Sequence, residues 1–326
     1  MSPVPPSKAL VLTWTPDQNT RQLSRALGAN LFVPSPGHPS LPAPVRYMLQ
    51  ALQTARFVIR TRPRVVIYQD PPFVTGAVLI FLRLGLNFDI CASAHSGPFN
   101  NPRWTRFKLF SRWVFSRCKG IFVHNEFMLE WARSFGVPTL LLRYPGFALA
   151  SDIALQPEVP GDHILVPFSY EFDEPVREFL TAARSVPHIS LFLTGEAPEW
   201  AIEAAPANCK FIGWVDRSRY EHLLATSRGV VALTSLEHTA QMAAFEAVEH
   251  GVPVLTSGTK ALRQFHQGGA MFVADHEPAT LASGLETLWT DHMALRPGAE
   301  STRKRAIRES IEQLGQLRDI LGLTPP

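Results

Sequence analysis

The stretch that decides the fold runs from Gly229 to Ser257 and reads GVVALTSLEHTAQMAAFEAVEHGVPVLTS. Its first residues predict a buried strand, and a polar loop over 235–239 leads to a helix predicted over 240–250, with Gly251 as a left-handed stop. A second apolar segment follows and predicts another buried strand. A strand, a helix and a strand in this order indicate one unit of a parallel α/β sheet.

The loop before this helix is the first candidate binding site. In parallel sheets, ligands bind at the carboxyl ends of the strands, where loops enter helix N-termini. The free N–H groups and the positive end of the helix dipole suit a diphosphate, and Thr239, Ala240 and Gln241 form the amide-rich turn that would hold it. Glu246 lies one or two turns into the helix, from where its carboxylate can reach sugar hydroxyl groups. The pattern therefore indicates a nucleotide-sugar site, with a solvated helix carboxylate as the alternative interpretation of Glu246.

These residues resemble the retaining family 4 glycosyltransferases of GT-B fold. The signature of that family is a glutamate, seven further residues, a second glutamate, and then a Gly-x-Pro-Val segment that begins a strand. Glu246 and the segment Gly251–Val254 match the second half of this signature. The resemblance implies two Rossmann-like α/β domains with parallel sheets that face each other across a cleft. It also implies that Glu246 binds the nucleotide ribose and that the transfer needs no metal ion.

The first half of the signature is altered in this chain. The position eight residues before Glu246 is His238, and the nearest glutamate, Glu237, lies one residue early. In the family, the first glutamate holds the transferred sugar. Three interpretations stay open: Glu237 holds the sugar after a shift of one residue, His238 holds it in a different way, or donor binding has weakened.

Two further loops of the second half are expected near the donor. Family members usually carry an arginine and a lysine after the first strand of this domain, where this chain has Ser169 and acidic residues over 171–174. This loop is similar to that of mannosyltransferases that act on lipid pyrophosphates. The phosphate charge would then be met by helix N-termini, by Ser169, or by basic residues elsewhere, such as Arg143 or Lys260. The residues expected to hold the nucleotide base through backbone groups are Gly213, Trp214 and Val215.

In the first half of the chain, the main candidate is His95. It follows a strand predicted over 88–94 and precedes Ser96 and Gly97, which leave room for a ligand. Many family members have a histidine here that points to the donor sugar, and the alternative is a histidine bonded within its own loop. An inverting reaction would require a general base, for which His95 or Asp70 would serve. The resemblance favours retention, and the sequence does not decide the stereochemistry.

A basic segment over 101–120 follows and reads NPRWTRFKLFSRWVFSRCKG. The predicted core face of its helix consists of Phe107, Phe110, Val114 and Cys118. Leu109 and Trp113 fall on another face among basic residues, which suits the interface of an anionic membrane. A solvated cationic face is the alternative, and nucleic acid is not expected because no recognised binding module accompanies the segment. The residues predicted for contact with the membrane or the acceptor are Arg103, Arg106, Lys108, Trp113 and Arg117.

The charge distribution and the length of 326 residues predict two domains. Residues 1–150 hold 17 Lys and Arg against 5 Asp and Glu, whereas residues 151–326 hold 14 against 23. We therefore expect an N-terminal acceptor-side domain over 1–150, a nucleotide-sugar-binding domain over 151–300, and a C-terminal helix over 301–326 that packs back toward the N-terminal domain. The positive first half would attract anionic surfaces.

The composition is that of a globular protein, with 46% hydrophobic residues and mixed charge. Cys91, Cys118 and Cys209 are widely spaced and form no metal or disulfide pattern, which suits a reducing cytoplasm. The longest apolar run, over 73–82, is too short to span a bilayer, and no signal peptide is visible. We expect a cytoplasmic protein, peripheral on the inner face of the plasma membrane, with a UDP- or GDP-type donor and no metal or other cofactor.

Together, these expectations describe a glycosyltransferase that moves a sugar from a nucleotide donor to a lipid-linked or polysaccharide-precursor acceptor. The main alternative is a non-catalytic subunit of the same fold that binds a partner enzyme or a lipid. It is motivated by a first loop without a Gly-Gly pair, by the missing Arg and Lys, and by the shifted glutamate. An epimerase or phosphorylase of the same fold is a third interpretation. A Rossmann dehydrogenase is not expected, because no Gly-x-Gly-x-x-Gly follows a strand.

Overall fold

The computed structural model describes residues 9–15, 17–97, 102–150 and 161–323, without the side chains of residues 102 and 103. Backbone contacts divide the chain into two compact units. Unit 1 consists of Met1–Leu149 and Glu309–Pro326, and unit 2 consists of Ala150–Arg308. Each unit contains a sheet of six strands, and the strand pairs within both sheets are parallel. The predicted α/β fold with two Rossmann-like sheets is confirmed at the level of each unit.

Unit 1 alternates strands and helices. Its strands are β1 (Ala9–Leu12), β2 (Asn30–Phe32), β3 (Val65–Asp70), β4 (Asp89–Ala94), β5 (Gly120–Val123) and β6 (Thr139–Leu141). Its helices are α1 (Gln18–Leu27), α2 (Ala43–Thr61), α3 (Phe73–Arg83), α4 (Pro102–Thr105), α5 (Lys108–Phe115) and α6 (Glu126–Arg133). The strands lie in the order β2-β1-β3-β4-β5-β6. The order changes direction between β1 and β3, and ligands of such sheets bind at the carboxyl ends of the strands on either side of this switch point.

Unit 2 is also built from alternating strands and helices. Its strands are β7 (Ile164–Pro167), β8 (Leu191–Thr194), β9 (Cys209–Gly213), β10 (Gly229–Ala232), β11 (Val254–Ser257) and β12 (Met271–Val273). Its helices are α7 (Val176–Arg184), α8 (Glu199–Ala204), α9 (Arg217–Thr226), α10 (Met242–Glu249), α11 (Lys260–His266) and the first part of α12 (Pro278–Leu321). The order β12-β11-β10-β7-β8-β9 is that of dinucleotide-binding sheets, with the switch point between β7 and β10.

The stretch that decides the fold forms the predicted unit of strand, helix and strand. Strands β10 and β11 pair in parallel, with Val230 opposite Val254. Helix α10 between them is shorter than predicted, and Gly251 has the expected left-handed conformation with φ of 64°. Both strands are buried at every position, as expected for a parallel sheet that is covered on both faces.

The C-terminal helix differs from the prediction, because it does not begin at residue 301. Helix α12 runs continuously from Pro278 to Leu321 and contains Pro297. Leu288 and Ala299, on either side of this proline, are fully buried. Packing therefore outweighs the local tendency of proline to end a helix. The last turns of α12 belong to unit 1, where their buried leucines join the core around β1 and β3.

Candidate functional site

At the switch point of unit 2, the loop after β7 is bonded to the loop after β10. The backbone N–H of Ser235 donates to the carbonyl oxygen of Asp173 at 2.7 Å. The hydroxyl of Thr234 donates to the carboxylate of Asp173 at 2.5 Å. The predicted donor residues in these two loops are Ser169, Thr239, Ala240 and Gln241. The fold thus brings the two predicted loops together at the edge of the sheet where ligands of such folds bind.

The acidic residues of the β7 loop serve to hold the loop in place. Glu174 accepts a hydrogen bond from the backbone N–H of Ser169 at 3.0 Å and one from its hydroxyl at 3.0 Å. Burial raises the pKa of Glu174, although its bonds to Ser169 act in the opposite direction. Together with Asp173, these contacts give a structural reason for acids at positions where the family resemblance predicts an arginine and a lysine.

A close approach of two backbones requires a glycine after β8. Gly195 has φ of +89°, and a Cβ atom there would lie 2.1 Å from the carbonyl oxygen of Phe168. Its N–H donates to the carbonyl oxygen of Gly213 at 3.2 Å. The end of β9, with the predicted base-binding residues Gly213, Trp214 and Val215, therefore lies beside the β7 loop. Trp214 is 76% exposed, so its ring is open to a stacking partner.

Glu246 is held by two side chains of α9. It lies in the second turn of α10 and is buried, with one oxygen 2.6 Å from Nη1 of Arg217 and the other 2.8 Å from the hydroxyl of Tyr220. Arg217 also donates from Nε to Glu221 at 2.6 Å. A carboxylate offers about four acceptor positions, so Glu246 keeps capacity for further donors. The contacts to Arg217 and Tyr220 fix the orientation of the carboxylate. The assignment of Glu246 to the nucleotide ribose stays a prediction.

Glu237, in the loop after β10, contacts the N-terminus of α11. Its carboxylate accepts a hydrogen bond at 2.5 Å from the backbone N–H of Lys260, the first residue of α11. Thr259 caps the same helix by accepting from the N–H of Leu262 at 3.3 Å. Glu237 is exposed and His238 is half-buried. The predicted role of these two residues in holding the transferred sugar stays a prediction.

At the switch point of unit 1, a polar network surrounds His95. The carboxylate of Asp17 accepts from the N–H of Thr20 at 2.7 Å and from Nε2 of Gln69 at 2.9 Å. Nδ1 of His95 lies 3.5 Å from the same carboxylate. Nε2 of His95 is buried and has no hydrogen-bond partner in the described part of the chain. Sequence reasoning found His95 and missed Asp17, although an aspartate directly before a helix is a capping signal.

His124 forms one wall of this network. It follows β5, and its ring meets that of His95 edge to face, with the ring centres 4.6 Å apart. Nδ1 of His124 lies 2.9 Å from the carbonyl oxygen of Leu142, and Nε2 lies 3.4 Å from the amide nitrogen of Asn19. Burial, followed by the proximity of His95, lowers the pKa of His124 to about 4. This ring is therefore neutral at pH 7.

Asp70 was the second candidate for a general base. It ends β3, is fully buried, and has no hydrogen-bond partner for either carboxylate oxygen among the described residues. Burial raises the pKa of Asp70 well above its usual range. Burial disfavours the charged carboxylate that a general base requires, so His95 fits this role better than Asp70.

Arg143, a candidate for neutralising the donor phosphates, is already paired in unit 1. It donates to the carboxylate of Glu126, and its Nη1 donates to Glu309 at 2.7 Å. Its side chain is largely buried. Two carboxylates satisfy the guanidinium, which leaves Lys260, exposed at the start of α11, as the remaining cation of the two.

Apolar side chains stand exposed on α5 and at the end of α3. Leu109 is 86% exposed, Leu84 is 83% exposed and Phe81 is 65% exposed. The ring of Trp113 stacks on Phe110 with the ring centres 5.7 Å apart and meets Phe81 at 6.2 Å. We refer to these five residues, together with the cations Arg106, Lys108, Arg112 and Arg117, as the basic–apolar surface.

Two cations of the basic–apolar surface lie against aromatic rings of the same segment. The guanidinium of Arg117 lies 4.8 Å from the ring centre of Trp113, and that of Arg106 lies 4.8 Å from that of Phe107. Arg112 and Lys108 are also exposed, and the side chain of Arg103 lies outside the described residues. The structure thus brings four of the five residues predicted for acceptor contact onto one segment of unit 1.

The predicted core face of the basic segment was half wrong. Val114 and Cys118 are buried as expected, whereas Phe107 and Phe110 are 43% and 38% exposed. The segment forms two short helices, and residues 106–107 lie between them, so a single helical wheel over the whole segment places Phe107 incorrectly. Phe115, which is fully buried, fills the core instead.

The described residues contain neither a helix that could span a membrane nor a cluster that could hold a metal ion. None of the helices in the described ranges is long and apolar enough to cross a bilayer. Within the same ranges, no group of three or more His, Cys, Asp or Glu side chains is arranged to hold a metal ion.

Comparison with protein families gives two matches that follow the division into units. Residues 10–146 match the model described as Glycosyltransferase Family 4. Residues 170–291 match the model described as Glycosyl transferases group 1. None of the curated proteins compared with the chain matches it.

Solved structures with a similar fold cover nearly the whole chain. Sucrose-phosphate synthase from Thermosynechococcus elongatus has a TM-score of 0.72 at 15% identity, covering 96% of this chain and 98% of its own. HepE of Anabaena, in complex with UDP and glucose, has a TM-score of 0.70 at 12% identity, with 97% and 99% covered. A putative UDP-N-acetylglucosamine 2-epimerase from Listeria monocytogenes has a TM-score of 0.68 at 10% identity, with 98% of each chain covered. At these identities the likeness shows the fold, which transferases and an epimerase share.

Proposed function

We propose that this chain, which belongs to the glycosyltransferases of GT-B fold with a family 4 region and a group 1 region, acts on a lipid-linked or polysaccharide-precursor acceptor. The transferase class and the use of a nucleotide-sugar donor follow from the two family matches, over residues 10–146 and 170–291. The observation that carries the acceptor proposal is the basic–apolar surface of unit 1.

The donor site that we propose lies at the switch point of unit 2. The diphosphate binds the N–H groups of Ala240 and Gln241 at the start of α10, and the helix dipole favours its negative charge. Thr239 precedes them in the turn, with its own N–H donated to the carbonyl oxygen of Leu236 at 3.3 Å. Glu246 binds the ribose hydroxyls with the acceptor positions that Arg217 and Tyr220 leave unused. The solved structure of HepE with UDP and glucose supports a UDP-type donor.

The chemical step that we propose is metal-independent and retains the configuration of the sugar. The departing diphosphate is stabilised by backbone N–H groups and by the helix dipole, which are oriented before the reaction begins. The acceptor hydroxyl attacks from the side of the leaving group, so no protein nucleophile is required. His95 contributes a hydrogen bond to a sugar hydroxyl.

The acceptor is presented by an anionic membrane. Leu109, Leu84 and Phe81 are apolar and exposed, so immersing them in lipid removes their apolar area from water. The cations around them add roughly 1 kcal/mol of attraction each near an anionic surface. Charge and apolarity on one segment therefore favour a lipid surface over a soluble acidic protein. We place the protein on the cytoplasmic face of that membrane, as a peripheral protein.

A vesicle experiment tests the acceptor proposal. The protein is sedimented with vesicles of phosphatidylglycerol or of phosphatidylcholine, and we expect binding to the anionic vesicles only, weakened by salt. Leu109→Glu should weaken vesicle binding at least tenfold. Ile202→Glu, at an exposed apolar position of unit 2, should leave it unchanged. Equal binding of wild type and Leu109→Glu would refute a membrane role for this surface.

An activity assay tests the transferase itself. Purified protein is incubated with a panel of UDP and GDP sugars and with lipid-phosphate acceptors in vesicles. We expect turnover of one donor and a thermal shift with the matching nucleoside diphosphate. The absence of turnover together with the absence of any thermal shift would contradict the proposal.

A non-catalytic subunit of the same fold is the second candidate. It is favoured by one observation: the carboxylates of the donor loops are engaged within the protein, and the Arg and Lys usual at this site are missing. Isolation of a stable complex with a second transferase, with activity in that partner alone, would support this candidate over the first.

A further inference from the structure

The carboxylate of Asp17 is fixed at both oxygens before any substrate binds. One oxygen accepts from the N–H of Thr20 at 2.7 Å and thereby caps α1, and the other accepts from Nε2 of Gln69 at 2.9 Å. Because a carboxylate only accepts hydrogen bonds, the amide nitrogen of Gln69 must be the atom that faces it. The amide oxygen of Gln69 in turn accepts from the hydroxyl of Thr20 at 2.8 Å. The position of Asp17 is therefore set by neighbours on α1 and β3.

The fixed carboxylate decides where His95 carries its proton. Nδ1 of His95 lies 3.5 Å from the oxygen that Gln69 also contacts. This approach is attractive only if Nδ1 bears a proton, and in a neutral ring Nε2 is then a lone-pair acceptor. Contacts of this kind are often long without substrate and shorten when it binds.

The other ring nitrogen of His95 lacks a partner. Nε2 is buried and bonds to no atom in the described part of the chain. His124, which packs against the ring, has its own nitrogens directed at Leu142 and Asn19. An acceptor held in this way suits a hydroxyl group, which can donate, and disfavours a phosphate oxygen, which only accepts.

We propose that Asp17 is a positioning residue, which holds the ring of His95 in the tautomer with the proton on Nδ1, so that Nε2 accepts a hydrogen bond from a hydroxyl group of a sugar substrate. The sugar in this inference rests on the proposed glycosyl transfer. The tautomer itself is a property of the protein alone, and it exists whether or not a sugar is transferred.

The direct test is nitrogen-15 NMR of the full chain labelled at histidine, recorded at pH 8. The signals of His95 are assigned by comparison with His95→Gln. In the wild type we expect the tautomer with the proton on Nδ1. In Asp17→Asn the side-chain oxygen is still needed to cap α1, so the amide N–H₂ faces His95 and Gln69. The amide of Gln69 then turns over to present its oxygen to the new amide group, and its N–H₂ donates to the hydroxyl of Thr20, which can also accept. The ring must then accept at Nδ1, and the proton moves to Nε2.

Kinetics give a second measurement on the same variants. Asp17→Asn turns Nε2 into a donor, so the sugar hydroxyl must reverse its hydrogen bond, and we expect kcat to fall by about 3- to 10-fold, the size of one neutral hydrogen bond. The KM for the donor should change by less than about threefold, because uniform binding is untouched. Asp89→Asn, which removes a surface carboxylate paired with Lys119 in the same unit, is the matched control and should change neither measurement.

Two results would overturn the proposal. One is a wild-type His95 with its proton on Nε2, and the other is an unchanged tautomer in Asp17→Asn. Asp17→Ser covers the case in which Asp17→Asn fails to fold, since serine keeps the helix cap but offers no carboxylate. If the wild type shows the expected tautomer but transfers no sugar from any donor, the proposed function fails while the positioning role stands.

Discussion

The two switch points use their polar side chains in opposite ways. In unit 1, Nε2 of His95 and both oxygens of Asp70 are buried without hydrogen-bond partners among the described residues. In unit 2, the carboxylates of Asp173, Glu174 and Glu246 already accept hydrogen bonds from neighbouring loops and helices. The unit 1 edge thus holds a ring nitrogen and a carboxylate without partners. At the unit 2 edge the carboxylates are engaged, and the hydroxyl of Tyr170 in the β7 loop is buried without a partner among the described residues. The difference suggests that side chains recognise a substrate in unit 1 and that N–H groups recognise one in unit 2.

Removing the His95 side chain, whose Nε2 has no partner in the described chain, should have the largest effect on activity. We expect His95→Ala to lower kcat by about 10²- to 10⁴-fold, since its loss removes a positioned hydrogen-bonding group at the reacting sugar. Steady-state kinetics with the preferred donor measure this. His188→Ala removes an exposed histidine of unit 2 that pairs with Glu286, and it should be neutral. Equal kcat values for the two variants would remove His95 from the mechanism.

Acid should lower the free energy of unfolding through one buried histidine of unit 2. In unit 2, burial, followed by the charge of Arg305, lowers the pKa of His266 to about 3, and neither ring nitrogen has a partner in the described chain. A histidine whose folded pKa lies below its unfolded value of about 6.5 is protonated first in the unfolded state, so stability falls as the pH drops below about 6.5. Between pH 7.5 and 4.5 this one group should cost about 2–3 kcal/mol.

Urea unfolding of His266→Phe at the two pH values measures that cost. The variant keeps an aromatic ring beside Phe265 and Phe272 but cannot take up a proton. Its stability should therefore fall less steeply with acid than that of the wild type. His188→Phe, at an exposed histidine, should retain the wild-type slope. If His266→Phe also retained that slope, the buried ring would not be the source of the acid sensitivity.

A methyl group at Gly195 tests whether unit 2 needs the close approach of the backbone after β8 to the backbone after β7. Gly195→Ala puts a Cβ atom 2.1 Å from the carbonyl oxygen of Phe168 at a left-handed position. We expect a loss of about 2–3 kcal/mol in unfolding free energy together with weaker nucleotide binding. Gly315→Ala, at a helical glycine with open space around its Cβ, should instead stabilise by about 0.5–1 kcal/mol. A neutral Gly195→Ala would mean that the two strand ends can separate freely.

The smallest of the four effects is expected at Glu246. Glu246→Gln keeps the size of the side chain and removes its charge, so a ribose hydroxyl loses one charge-assisted hydrogen bond, which is worth about 1.5–3 kcal/mol. Calorimetry should show a fall in nucleotide affinity of about 10- to 100-fold. Glu221→Gln changes the other, more exposed carboxylate bound to Arg217. Similar losses for both variants would place the effect on Arg217 and not on a ribose contact.

Most of the fold follows from local patterns in the sequence. Apolar runs such as those of β10 and β11, each followed by a polar loop and a helix, are sufficient to predict parallel sheets. The start of α1 at Gln18 also has a local signal, because Asp17 directly before it accepts from the N–H of Thr20 and caps the helix. The break between α4 and α5 placed Phe107 on the wrong face, since tertiary packing decides where a helix ends.

The candidate site is harder to predict, because its partners are distant in the chain. His95 and Glu246 were found from their positions after a strand and within a motif. Their neighbours Asp17, Arg217 and Tyr220 were not, since nothing local pairs a loop residue with a histidine several strands away. The sequence also does not show which donors a carboxylate will bind. That Asp173 binds Thr234 and Glu174 binds Ser169 is visible only in the structure.

Co-crystallisation with UDP or GDP tests the central claim most directly. We predict that the diphosphate lies within about 3 Å of the backbone N–H groups of Ala240 and Gln241 at the start of α10, beside Thr239, with the ribose hydroxyls on Glu246. A nucleotide bound instead at the carboxyl ends of β1 and β3 in unit 1, with the α10 turn empty, would contradict the account.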